Sequence, residues 1–184
     1  MSENKLSISR NAMNYGGMTG IVLFLLFILT GILGSSVSSF ITIVCYVALG
    51  IGIFIGTKNY RDTELDGSIS YGTSFYSGFL ISFFASVLIA FAAFLYLKFV
   101  DSSLLVKVME DAESNLMKSY NDDEEKVEKA LEIMQVMNNP SAFALMLVLS
   151  YTFWGTLLSL VLAAIIKKQP PSRNSFDNFI QQNQ

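Results

Sequence analysis

Lys58, Tyr60, Arg61 and Asp62 stand in one short run and are the strongest candidates for chemistry in this sequence. A guanidinium beside an ammonium can hold a lipid phosphate or a partner's carboxylate through charge-assisted hydrogen bonds. The competing and favoured role is an anchor, in which the cations lay their stems on apolar surface and fix orientation at a boundary. Acid chemistry would have to use Asp62 or Asp66. The sequence has no His, which removes the commonest general base and metal ligand. Its one cysteine, Cys45, sits in an apolar run, so no intrachain disulfide framework exists. Asp122, Asp123, Glu124 and Glu125 could attract a cation, but consecutive carboxylates point to different helix faces and lack the alternation of a calcium loop. The expectation is no catalytic residue, no cofactor and no metal site.

The elements that carry these residues are set by where charge is missing. The chain has 184 residues, of which 15% are charged and 52% hydrophobic, and its mean hydropathy is +0.49. Soluble domains carry about 25% charged residues, so the deficit points to lipid. Residues 13–56, 72–97 and 141–166 contain no Asp, Glu, Lys or Arg. About 20 apolar residues cross the hydrocarbon core, and helices buried in a water-soluble bundle would keep a charged face. The net charge of −3 gives no reason to expect a nucleic-acid partner.

The expected fold class is all-α: an integral membrane four-helix protein with an amphipathic helical extramembrane arm between spans three and four. Residues 1–12 form an N-terminal segment, and residues 13–100 hold spans one to three. Span one covers Met13 to Leu33; it is long for the apolar core of a cleaved signal peptide, and a second apolar segment follows almost at once. Gly34, Ser35 and Ser36 turn the chain into span two, Val37 to Gly56. A polar turn, Thr57 to Ile69, carries the Asp66-Gly67 turn signal and leads to span three, Gly72 to Phe99. Residues 101–140 form the arm, 141–167 hold span four, and 168–184 are a polar tail.

Small residues recur at four-residue spacing in three spans: Ala48, Gly52 and Gly56; Ser74, Gly78, Ser82, Ser86 and Ala90; Gly155, Ser159 and Ala163. Such strips share one helix face and let backbones approach closely where lipid gives no hydrophobic drive to associate. For Gly52 and Gly56, packing within the chain is favoured over dimerisation. The serines could line an aqueous path, but transport usually places ionisable residues within the bilayer, and the apolar blocks hold none.

The arm carries ten acidic residues against four lysines. Val127, Leu131, Met134 and Met137 fall at helical spacing and form a candidate partner-docking stripe. The stripe could lie on the membrane or on a protein. Its acidic surroundings oppose attraction to anionic lipid, and methionines adapt to protein surfaces, so protein contact is favoured, including contact between copies of the chain.

With four spans, Lys5, Arg10, Lys58, Arg61, Lys167, Lys168 and Arg173 all fall on one side. The positive-inside rule makes that side, with both termini, cytoplasmic and the arm external.

Tyr60-Arg61-Asp62, a short acidic gap, and then Gly67-Ser68-Ile69-Ser70-Tyr71-Gly72-Thr73-Ser74-Phe75 with Gly78 following resemble the signature of a bacterial membrane family, domain of unknown function 4199. The resemblance runs from roughly Met13 to Lys167. It implies four spans, a Met- and Glu-rich amphipathic segment corresponding to Ser102 to Asn139, and residence in a Gram-negative inner membrane with the arm periplasmic. It brings no activity and no catalytic residue. The expected function is a non-catalytic membrane interaction protein, a scaffold or accessory subunit, whose partners are membrane lipids and a protein or further copies of itself. The alternative is a membrane enzyme or transporter component acting on a lipid-linked or small hydrophobic substrate.

Overall fold

The computed structural model describes residues 7–33, 35–119, 129, 132 and 139–168. Its helices with defined ends are α1 (Ile8–Leu33), α2 (Ser35–Glu64), α3 (Tyr71–Phe99), α4 (Ser103–Ser119) and α5 (Pro140–Ile166). Helices α1, α2, α3 and α5 are long and apolar enough to cross a membrane, so the chain is a multi-pass membrane protein with four spans. The proposed docking stripe Val127, Leu131, Met134 and Met137, the segment 1–6 and the tail from residue 169 lie outside the described residues.

One boundary differs from the sequence reading in a way that matters. The polar run assigned to a turn from Thr57 is helical through Glu64. A 30-residue helix is about 45 Å long, well beyond an apolar core of about 30 Å, so its charged last turns emerge without unwinding. What stops it is Asp66 at φ 51° and Gly67 at φ 79°. Both lie in the left-handed region, which Gly adopts freely and Asp tolerates. The Gly67 N–H then donates to the Arg61 carbonyl at 3.0 Å. Helix α3 starts at once, its first turn capped by the Ser70 hydroxyl, which accepts from the Thr73 N–H at 3.2 Å.

Helix α5 likewise differs slightly, beginning at Pro140, one residue ahead of the expected span 141–167. Asn139 accepts the Ser141 N–H at 2.9 Å and Pro140 occupies the first turn, where its missing N–H costs nothing.

Helix α3 is the centre of the bundle. It packs most extensively on α5, next on α1, and also on α2. Leu23, Leu49, Ile53, Ile81, Ala85 and Ile89 form the interior. The opposite faces, with Ile21, Leu25, Ile43, Val47, Phe91 and Val161, are exposed and meet lipid at no cost, because hydrocarbon solvates them as well as protein does.

The acceptors and packing of α4 explain its place. Asp101 caps it, taking the Ser103 N–H at 2.8 Å, and that hydrogen bonding with Ser103 holds the Asp101 carboxyl below its usual range. Leu104 and Leu105 are buried against Leu97 of α3 and Phe143 of α5, with Phe27 and Tyr96 alongside. The first half of the arm therefore rests on the chain's own bundle.

Candidate functional site

The small-residue strips of α3 and α5 face each other in antiparallel register. A Cβ built on Gly78 would lie 2.6 Å from the Ser159 Oγ, and one built on Gly155 would run into the Ser82 side chain. One turn further along, the Ser86 and Thr152 hydroxyls share a hydrogen bond of 2.9 Å. At the other end, Ser74 and Ala163 are both buried, as is Ala90 beyond Ser86. Ser82, Ser86 and Ser159 donate to carbonyls of their own helices at 2.7–2.8 Å. Spending the hydroxyls this way leaves a smooth face, and the serines point at a neighbouring helix.

On α2, Gly56 lies against Tyr15 and Ile81, and Gly52 against Thr19; Ala48 is half-buried beside the core. This strip is spent on α1 and α3, inside the chain. The matching strip on α1 was not singled out from the sequence. Gly16 abuts Phe84 and Gly20 abuts Leu88 of α3, and their four-residue spacing was the signal available.

The ends of α1, α2, α3 and α5 meet in a polar network. Asn11 is buried and its Nδ2 donates to the Gly56 carbonyl at 3.0 Å. Arg61 donates from Nε to Asp62 at 2.7 Å and from Nη1 to the carbonyl of Ile166, the last residue of α5, at 3.1 Å. That carbonyl has no intrahelical partner of its own, and a cation suits the negative end of the helix dipole. Ile69 and Lys168 exchange two backbone hydrogen bonds of 2.9 and 3.0 Å, and the Tyr71 hydroxyl donates to the Leu160 carbonyl at 3.2 Å. Thr57, Ser74 and Ser77 are buried nearby, with hydroxyls that have no hydrogen-bond partner among the described residues. Arg61 and Asp62 are thus joined to each other and to α5. Lys58 is exposed, its Nζ 5.9 Å from the Phe54 ring centre, and Tyr60 is half-buried.

A different face carries an aromatic cluster that sequence reading did not assemble. Trp154 is 47% exposed halfway along α5. Its ring centre lies 5.6 Å from Tyr46 of α2 and 5.8 Å from Phe153, and Tyr46 lies 6.0 Å from Tyr151. The indole N–H has no acceptor among the described residues. Behind this cluster, a cavity of about 240 Å³ opens between the bundle and α4. Cys45 and Tyr151 line it together with Phe27, Phe143 and Asn115. Among the described residues no group of His, Cys, Asp and Glu is placed to hold a metal ion.

A family model described as "Protein of unknown function (DUF4199)" matches residues 14–168, and the chain belongs to that family. No curated protein and no solved structure matches the sequence.

Proposed function

We propose that this member of the DUF4199 family is a non-catalytic membrane interaction protein, an accessory subunit that holds a partner's transmembrane helix on the α2–α5 face. The observation that carries this is Trp154. Tryptophan normally sits at the membrane–water boundary, where its N–H stays wet. Here it lies mid-span and outward-facing, and a donor left unpaired in hydrocarbon costs several kcal/mol. A neighbouring helix that offers a carbonyl or hydroxyl removes that cost. Tyr46 and Phe153 give the same helix an aromatic surface.

The residence we propose is a bacterial inner membrane, with termini cytoplasmic and α4 periplasmic. Support comes from the clustering of Arg10, Lys58, Arg61, Lys167 and Lys168 at one end of the four spans, opposite α4, which the positive-inside rule assigns to the cytoplasm.

Purification of the tagged protein in mild detergent tests the proposal. A stoichiometric membrane protein should co-purify with the native chain and be lost from Trp154→Ala, whose own folding is checked by thermal unfolding. A Trp154→Ala protein that keeps every companion of the native chain contradicts it. So does a native chain that purifies alone or only with copies of itself.

A further inference from the structure

Helix α4 lies over the bundle as a roof that fits closely at one end only. Leu104, Leu105, Val108, Ala112 and Asn115 share one of its faces. The two leucines are buried against Leu97 and Phe143. One turn past Val108 the face falls to the methyl group of Ala112, and there the cavity of about 240 Å³ opens beneath it.

The lining sets the chemistry of what fits. Phe27 and Phe143, with ring centres 6.0 Å apart and planes tilted by 39°, form an aromatic wall beside Val108. Cys45 and Tyr151 line the cavity deeper in the spans, and the exposed Thr42 and Asn115 line its mouth. The described residues that line it carry no charge, and an unpaired charge is costly to bury, so the occupant is neutral. A cavity of about 150 Å³ admits benzene, whereas drug-sized ligands need about 300 Å³ or more. A volume between the two suits one or two fused rings, which the aromatic wall favours over an alkyl chain.

We infer that this cavity binds a small neutral aromatic molecule of one or two rings that carries a hydroxyl or carbonyl group. The ring lies on Phe27 and Phe143, and its polar substituent pairs with the Tyr151 hydroxyl. The molecule enters past Thr42 and Asn115. Trp154 does not line the cavity, so the site stands or falls apart from the partner-helix proposal.

Equilibrium dialysis of radiolabelled 1-naphthol against the purified full-length protein in detergent, with detergent alone as the blank, tests it. One saturable site per chain is expected. Competition should show naphthalene held about fivefold more weakly, the loss of one hydrogen bond, and naphthalene-1-sulfonate unable to displace the label. Tyr151→Phe keeps the ring but loses the hydroxyl, and should bring 1-naphthol down to the level of naphthalene. Ala112→Phe, on a helix outside the spans, should fill the space and abolish saturable binding while thermal unfolding stays as in the native chain. No saturable site, displacement by the sulfonate, or binding that either substitution leaves unchanged would each overturn the assignment.

Discussion

Gly155 of α5 and Ser82 of α3 approach so closely that a methyl group on the glycine would collide with the serine Cβ. Helix pairs in lipid are held by such contact rather than by exclusion of water, and here α3 and α5 make it along their whole shared strip.

Gly155→Ala should therefore destabilise the bundle by about 1–3 kcal/mol, the usual cost of overpacking. Ser82→Gly removes the atoms the new methyl meets. The double variant should recover most of the loss, giving a coupling energy measurable by unfolding in detergent. Simple addition of the two single effects would mean that the helices are not in this register.

Arg61 links two spans far apart in sequence, and its role is read from its partners. Arg61→Ala leaves the Ile166 carbonyl at the end of α5 without its donor and should cost about 1.5–3 kcal/mol, as charged hydrogen bonds do. Asp62→Ala removes the more exposed half of the pair and should cost much less, because an exposed ion pair is screened by solvent. Assembled protein in membranes, quantified for both variants, should fall for Arg61→Ala and hold for Asp62→Ala.

The fold was legible where one residue type repeats and obscure where the partner is backbone. The strips on α3 and α5 could be read because a period of four is a helix face, whichever neighbour covers it. The Arg61 to Ile166 contact could not, because a carbonyl has no sequence signature and lies 105 residues away. The charged run from Lys58 resembled a loop because polarity marks the bilayer edge as well as a break in the helix; only Asp66 and Gly67 mark the break. The position of Trp154 near the middle of span four can be counted from the sequence, but its ring partners Tyr46 and Phe153 required the structure.

Acid should release α4 through its cap. The Asp101 carboxyl titrates below its ordinary value of 3.8 in the folded chain because it hydrogen-bonds with Ser103. A lowered folded value means the cap contributes fully above the unfolded value and is lost as pH falls through the folded one. At pH 7, Asp101→Ala should raise amide exchange in the first turn of α4 relative to the native chain. Below the lowered value the two should converge, and a difference that persists there would contradict the cap.

Orientation is open to a labelling test. With Cys45 replaced by Ala and a single cysteine placed at exposed Ser114 of α4, an impermeant thiol reagent should label intact spheroplasts. A cysteine at Ser2 should react only after lysis. The opposite pattern would invert the proposed topology.

The partner-helix face is tested most directly by a photoreactive amino acid in place of Trp154, activated in intact native membranes. The proposed arrangement predicts a discrete cross-link to another membrane protein, absent when the same residue is placed at outward-facing Ile21 of α1. Cross-links at position 154 to lipid alone, or the same products from both positions, would contradict it.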